Sequence, residues 1–426
     1  MTKRRKRIVI GSIVLVPLLA LFVLWAFVDS PAPDDADLRL AYERIPDEEN
    51  AFTYLDQAVA ALDWPEEYYE KKRVEDLLLE DGWDDALAAD IVGRNESLFE
   101  MLDQALACPR FQVPEINSFD THLPYLAPWR AIARLGAIRA ELLFRQGREK
   151  EAFDQALQVV HFGDRIHDCR SSLVGWLVGN AVEVAGLKQL REMLGRTHLD
   201  AATLRAYIPQ LAACSAAEPG LGNVLRIEYI MAANTVDGLA SGRPSTSDFM
   251  DDRLWVRLSP LKSNKTKAML AASFRILVAN ASKTRAEAAL IPQMPPYSTS
   301  FVLKAIASGN GKGIALYTLL MPGFGRAHAQ KCAMNSSLAS TQVLIALRCY
   351  QLEHGELPDA LEALVPGTLE ALPLDDFDGK PIKWSQAERT IYTVGPDLRD
   401  NGGVAADDRE GVLPEAGYDL IFKIGF

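Results

Sequence analysis

Cysteine is scarce in this chain of 426 residues, which contains only five. An odd number leaves at least one thiol unpaired within the chain, so a small disulfide-stapled scaffold is excluded. Cys332 and Cys349 lie in one segment of helical spacing, which separates them by roughly 25 Å along a helix axis. They cannot bond to each other while that helix exists.

Positive charge is sparse beyond the first seven residues. The chain has 45 Lys and Arg against 57 Asp and Glu, a formal net charge of −12. Without the five basic residues between Lys3 and Arg7 the balance is 40 against 57, or −17. Such an acidic surface repels nucleic acid and favours cations or basic partners. We therefore predict no nucleic-acid partner.

The familiar catalytic motifs are also missing. The sequence has no HExxH, no Cys-x-x-Cys and no G-x-S-x-G. His161 and His167 are six positions apart, which places them on different faces of a helix and argues against a zinc site. Ser308 to Gly313, SGNGKG, lacks the Walker pattern and is typical of a loop.

Only one long hydrophobic run is present, from Ile8 to Val28. Its 21 residues are enough to cross a bilayer as a helix, and the basic residues before it place the N-terminus in the cytoplasm. Its length and the prolines beside Ser30 favour a retained anchor over a cleaved signal peptide. This predicts a single-pass protein of the bacterial inner membrane with a periplasmic ectodomain.

The predicted fold class is mainly α, with the transmembrane helix, a helical-hairpin ectodomain and a small C-terminal α+β module. The predicted segments are a cytoplasmic basic segment 1–7, a transmembrane helix 8–28, a tether 29–45, a helical domain 46–214, a helical and irregular middle region 215–331, and the α+β module 332–426.

A helical hairpin is predicted within the block from Pro128 to Leu194. Apolar residues recur at helical spacing on both sides of Gly147, which marks the turn. The segment LLFRQGREKEAFDQAL resembles the middle of one tetratricopeptide repeat, but no second copy follows at the expected period. A lone hairpin is the favoured interpretation.

The C-terminal quarter carries the most informative pattern. A helix from Cys332 to His354 ends at Gly355, and strands are predicted over 382–384, 391–394 and 418–424. The order LEHGELPDALEALVP, LPLDDFDGKPIKW and IYTVGPDLRDNGG resembles the major pseudopilin of type II secretion. That resemblance implies the α+β fold and no reaction.

The same resemblance implies a calcium site in the acidic C-terminal loop. By position its ligands are the carbonyl of Val394 and the carboxylates of Asp397, Asp407 and Asp408. Asp400 and Asn401 lie nearby, and Leu398 replaces a glycine of the pseudopilin pattern. Calcium prefers six to eight oxygen ligands, which an Asp-rich loop can supply. The alternative is a solvated acidic loop that holds no ion.

The chain departs from pseudopilins at its start. Gly11 is followed five residues later by Val16, where the prepilin-peptidase signature has Glu, so polymerisation as a pseudopilus subunit is not expected. The layout as a whole resembles a broad group of bacterial envelope proteins, through the segments EENA (48–51), ACPRF (107–111) and 126–147. The resemblance implies a partner among envelope or secretion-system proteins, and no activity.

Two functions follow as hypotheses. The first is a binding or scaffolding role, in which the helical hairpin offers a groove to a partner. Calcium bound in the C-terminal loop would stabilise such a protein. The alternative is a hydrolase that uses carboxylates, for which Glu218 and Glu228 near Arg226 are the candidates. A second cluster, Asp375, Asp376 and Asp378, is interpreted as a turn whose side chains bond their own backbone.

Overall fold

The computed structural model describes most of the chain. The described residues are 16–18, 20–25, 28–79, 81–214, 220–242, 256, 259–290, 299–404 and 418–426, without the side chains of 299–302. Within them the protein is mainly helical, with one small three-stranded sheet.

The predicted fold class is wrong in its membrane-spanning part. Among the described residues, no helix has both the length and the apolar character that crossing a membrane requires. Of the predicted span 8–28, residues 8–15, 19 and 26–27 lie outside the described residues. The predicted location, an inner-membrane anchor with a periplasmic ectodomain, depended on this span and is corrected with it.

Contacts at the end of this segment and just after it show what hydropathy did not reveal. The indole Nε1 of Trp25 donates to the carbonyl oxygens of Ile306 and Ala307, at 3.1 and 3.2 Å. Four residues later, the Asp29 carboxylate accepts from the backbone N–H of Asn264 at 2.8 Å. A hydropathy window measures apolar content alone and is blind to such contacts with the rest of the protein.

Four helices form the first part of the fold: α1 (Ala51–Ala61), α2 (Tyr68–Asp76), α3 (Asp85–Arg94) and α4 (Glu96–Ala107). Asn50 caps α1, because its side chain accepts from Phe52 N at 3.1 Å. The same amide exchanges hydrogen bonds with the backbone of Gln112, and Ala51 N donates to Arg110 O at 2.9 Å. The segments 48–51 and 107–111 therefore meet in the structure.

The predicted hairpin is confirmed. It consists of α5 (Leu126–Arg145) and α6 (Glu149–His167), joined at Gly147 with φ of 78°. Only glycine adopts that left-handed conformation without steric cost, which explains the turn. A third long helix, α7 (Leu173–Leu194), packs against both, so the hairpin is the first two-thirds of a three-helix layer.

Glycines let α6 and α7 approach until their backbones touch. A Cβ on Gly163 would lie 2.5 Å from the backbone nitrogen of Glu183, and one on Gly186 would lie 2.7 Å from that of Val160. Real Cβ atoms do not tolerate such distances, so these positions require glycine. The backbones of the two helices are therefore in direct contact at this level.

Shorter and longer helices complete the helical part. They are α8 (Ala201–Arg205), α9 (Ile208–Ala213), α10 (Gly220–Ala240), α11 (Ser263–Asn280), α12 (Thr299–Ala307) and α13 (Gly311–His354). The predicted end of α13 is confirmed, since Gly355 follows with φ of 85°. Its predicted start at Cys332 is wrong, because the helix begins at Gly311 and continues through Pro322.

The C-terminal sheet has the three predicted strands, the first two shifted by one residue and the third shortened. β1 (Lys383–Ser385), β2 (Thr390–Thr393) and β3 (Leu420–Lys423) are antiparallel in the order β1-β2-β3, and Ile391 pairs with both Trp384 and Phe422. One continuous core joins this sheet to α13 and to helices α6, α7, α10 and α11. A second core lies under α1 to α4 and one side of α5.

The five cysteines are all among the described residues and all are free. Cys332 and Cys349 both lie on α13, as expected from their spacing, and both are buried. The exclusion of a disulfide scaffold is confirmed.

The α6–α7 contact yields a stability prediction. Gly163→Ala should reduce the free energy of unfolding by about 1 to 3 kcal/mol, since the added methyl group meets backbone and the helices must separate. Gly93→Ala on α3 is the matched control, because nothing lies within 4 Å of its Cβ position. There alanine should be neutral or stabilise by up to about 1 kcal/mol through helix propensity. Denaturant unfolding of the full chain measures both, and equal effects of the two substitutions would contradict the close-contact argument.

Candidate functional site

Of the two carboxylates predicted for a hydrolase, the described one, Glu228, does not lie in an open site. Glu228, on α10, is only 3% exposed, and its Oε1 accepts from the backbone N–H of Leu173 at 2.6 Å. Burial raises its pKa to about 7, although the bond from Leu173 acts in the opposite direction. Arg226 lies on another face and contacts Asn223 and the Asp37 carbonyl. Glu218 lies outside the described residues.

A buried polar cluster, His167, Asn180 and Glu183, lies between α6 and α7. His167 Nδ1 is 3.5 Å from Glu183 Oε2, and both side chains are almost completely enclosed. Burial lowers the pKa of His167 to about 4 and raises that of Glu183 well above its usual value. Burial therefore favours the neutral form of both side chains.

This cluster has unusual hydrogen bonding for a protein interior. The ring nitrogens of His167, the amide of Asn180 and the carboxyl oxygens of Glu183 are buried without a protein partner. Each such group typically costs about 1 to 3 kcal/mol. One local signal of this cluster is present in the sequence: two polar residues, Asn180 and Glu183, are spaced by three in an apolar helix. The cluster lines neither of the two surface clefts described below, so it has no access for a substrate there.

The predicted metal ligands are only partly described. Asp407 and Asp408 lie outside the described residues. Val394 is buried, and its N–H donates to Asp375 Oδ2 at 2.8 Å, while Asp397 Oδ1 accepts from Arg399 N at 3.1 Å. Within the described part of the chain, no group of three or more His, Cys, Asp or Glu side chains could hold a metal ion.

The described part of the acidic loop is nevertheless well ordered by its own bonds. Leu398 has φ of 62°, a left-handed conformation that favours the glycine it replaces. Asp419, almost fully buried, accepts from the backbone N–H groups of Asn401 and Gly403, at 3.1 and 2.8 Å. Burial raises the pKa of Asp419, and these two backbone bonds counteract that effect.

The cluster at 375–378 is a turn, as predicted. Asp375 accepts from Phe377 N and Val394 N, both at 2.8 Å, and from the Ser336 hydroxyl at 3.2 Å. Burial raises its pKa to about 6. Asp376 pairs with the buried Lys331 at 2.8 Å, which fastens the turn to α13. These carboxylates connect elements of the fold, and their oxygens are already hydrogen-bonded or ion-paired within the protein.

Charged, aromatic and apolar side chains are accessible together in a surface cleft of about 490 Å³, which sequence reasoning missed. We call it the cationic cleft. Its lining residues come from the α2–α3 connection, the end of α5 and the end of α7: Leu77, Leu78, Leu79, Trp83, Glu141, Arg145, Lys188, Gln189, Glu192 and Arg196. No spacing pattern connects three segments so far apart in sequence, which explains why the sequence did not reveal it.

Glu141 organises the base of the cationic cleft. Its oxygens accept from Arg145 Nε at 2.7 Å, Arg196 Nη1 at 3.0 Å, Arg196 Nη2 at 2.7 Å and Gln189 Nε2 at 3.0 Å. Burial alone would raise its pKa, but the bonds and charges of Arg196 and Arg145 outweigh burial and lower it. Glu141 is therefore ionised and holds two guanidinium groups in place.

A second cleft, of about 530 Å³, lies on the other side of α5. Its lining includes His161, and burial lowers the pKa of that imidazole. Several of its polar side chains are already bonded, Arg148 to Glu151, Gln158 to Asp103, and Asp154 to the hydroxyl of Tyr207, which lies outside the lining. These bonds use part of the polar capacity of this cleft.

No protein-family model, curated protein or solved structure matches this chain. The resemblances described for the sequence therefore stay predictions.

The buried Glu228 gives a prediction for pH. Because its folded-state pKa is raised to about 7, the unfolded chain ionises first, and stability should fall as pH rises from about 4.5 to 7. The loss attributable to this group is about 3 kcal/mol. Glu228→Gln keeps an oxygen for Leu173 N and removes this loss, so the variant should gain stability relative to wild type as pH rises.

Unfolding of the full chain at pH 5 and pH 8 measures this difference. The exposed Glu356, changed to Gln, is the matched control and should follow the wild-type pH dependence. Parallel curves for wild type and Glu228→Gln would show that Glu228 ionises normally in the folded protein.

Proposed function

We propose that this chain is a binding protein without a reaction of its own, and that the cationic cleft is its binding site. The observation that carries the proposal is where the polar groups lie, some buried in the interior and others exposed in the cleft. The carboxylates with strongly raised pKa, Glu183 and Glu228, are sealed inside, whereas the cationic cleft presents charged, aromatic and apolar side chains together at the surface. A cleft of this size suits a small ligand or a short part of a partner.

The hydrolase alternative has one supporting feature, the raised pKa of Glu228. A general acid must also reach its substrate within hydrogen-bond distance. Glu228 is 3% exposed and bonded to the start of α7, which supports a role in the fold instead. Binding therefore accounts better for the arrangement of charged groups.

The binding site is tested with two substitutions at equally exposed positions. Leu79, in the cationic cleft, is 58% exposed, and Val174, on α7, is 59% exposed. Val174 lies about 21 Å along the helix from Lys188. We expect the full chain, purified gently from its native cells, to retain a bound species in native mass spectrometry. Leu79→Asp should lose it and Val174→Asp should keep it.

Two results would contradict this proposal. One is equal retention by both variants, which would place the bound species elsewhere. The other is a wild-type chain that retains nothing. Because both side chains point largely into solvent, neither substitution should alter folding, and circular dichroism verifies this for each variant.

Calcium stabilisation through Val394, Asp397, Asp407 and Asp408 is a second part of the proposal. The left-handed Leu398 and the Asp419 bonds support a defined backbone conformation in the loop that follows Val394 and Asp397. Millimolar calcium should raise the melting temperature of the full chain, and magnesium should do so much less because it dehydrates reluctantly. Asp397→Ala and the Asp407→Ala, Asp408→Ala double variant should remove the shift.

Asp359→Ala serves as the calcium control, because this exposed carboxylate lies outside the loop. It should leave the calcium-induced shift unchanged. Identical melting curves of the wild-type chain with calcium and with chelator would leave the solvated acidic loop as the remaining interpretation.

A further inference from the structure

The cationic cleft has hydrogen-bond donors beyond those that the fold uses. Among the described residues, Arg145 hydrogen-bonds Glu141 through Nε, and a guanidinium carries four further N–H groups on its two terminal nitrogens. Glu141 itself is saturated by Arg145, Arg196 and Gln189, so it does not compete for a ligand's cation. The buried carboxylate thus positions a half-exposed arginine for another acceptor.

A second cation lies beside Arg145. Lys188 is 3.4 Å from Glu192, in an exposed i,i+4 pair of the kind that is worth little in water. The cleft lining has three cationic side chains, Arg145, Lys188 and Arg196, against two carboxylates, both already paired. In a chain of net charge −12, this is a locally positive site.

An apolar surface adjoins these donors. The guanidinium carbon of Arg145 lies 4.7 Å from the centroid of the Trp83 ring, within cation–π range. The indole Nε1 of Trp83 donates to Asp85 Oδ1 at 2.9 Å, which fixes the ring. Leu78 and Leu79 continue the wall. Ring and guanidinium are therefore arranged before any ligand arrives, which reduces the entropic cost of binding.

We propose that the cationic cleft binds an organic anion, a carboxylate or a phosphate, that is joined to an apolar or aromatic group. The anion lies on Arg145 and Lys188, and the apolar group lies against Trp83 and Leu79. This inference rests on the proposed function, because it names the ligand class of the same cleft. Arg145 is preferred to Lys188 as the main contact, since its planar fork matches carboxylate and phosphate oxygens in pairs.

The test uses four probes of similar shape: phenylacetate, phenyl phosphate, 2-phenylethanol and 2-phenylethylamine. Binding to the full chain is measured by ligand-observed NMR and by calorimetry. We expect binding of one or both anions, with an affinity that falls as salt increases, and no binding of the alcohol or the amine. Comparing the two anions shows whether the natural group is a carboxylate or a phosphate.

Arg145→Gln should weaken binding of the anion at least about tenfold, the usual effect of losing a charge-assisted contact. Arg275→Gln is the matched control: each arginine side chain is 43% exposed, and Arg275 pairs with Asp37 outside the cleft. Arg145→Lys should give an intermediate affinity, because it keeps the charge and loses the fork. Glu141 keeps Arg196 and Gln189 in these variants, so the fold should persist.

The outcomes separate this inference from the proposed function. If the alcohol binds as well as the anions, and Leu79→Asp abolishes both, the cleft is a binding site but its ligand class is wrong. Unchanged anion affinity in Arg145→Gln also overturns the inference. If no probe binds, the anion assignment fails, and the native mass spectrometry with Leu79→Asp decides independently whether the cleft binds anything.

Discussion

The contact between the backbones of α6 and α7 is the constraint on which the central layer depends. It exists because Gly163 and Gly186 have no side chain, so the backbones of the two helices come into direct contact. The same layer encloses His167, Asn180 and Glu183, and burial lowers the pKa of His167 and raises that of Glu183, which favours the neutral form of both. The same layer holds the end of α5 against the end of α7, where Glu141 binds Arg196.

Charge in this protein is therefore separated by depth. Burial favours the neutral forms of His167 and Glu183 inside the layer, while charged groups nearer the surface are paired, as Arg145 is with Glu141. The cationic cleft is the place where pairing around one buried carboxylate leaves donors facing outward. An acidic protein can therefore have a locally positive site, because the overall charge does not determine the local potential. Here one carboxylate, Glu141, is shared by two arginines.

Sequence reasoning succeeded where the determinants are local. Gly147 and Gly355 both mark helix ends because a single residue must adopt positive φ there, and the turn at Asp375 follows from the same kind of short-range chemistry. The predicted start of α13 at Cys332 was wrong, because the helix begins at Gly311 and includes Pro322, a residue type that usually interrupts helices. The membrane prediction rested on apolar content and flanking charge, and no described helix has both the length and the apolar character to cross a membrane.

The candidate sites show the same division. Nothing local connects Trp83, Arg145 and Lys188, which come from three segments, so the cationic cleft could not be predicted from spacing. Glu228 was singled out for possible chemistry, but its burial against Leu173 N depends on how α10 crosses α7. The calcium loop was predicted from a resemblance and not from the spacing of its own residues, and the structure describes it up to Val404.

The free thiols can report local unfolding of the protein through their reaction with alkylating reagents. Burial raises the pKa of Cys169 to about 12 and that of Cys349 to about 11, whereas Cys108 is partly accessible. Only the thiolate reacts with alkylating reagents, so the enclosed sulfurs are silent until their surroundings separate. Cys169 lies next to the α6–α7 layer, and Cys349 lies on α13. The order in which the two thiols are alkylated therefore shows which of these regions unfolds locally first.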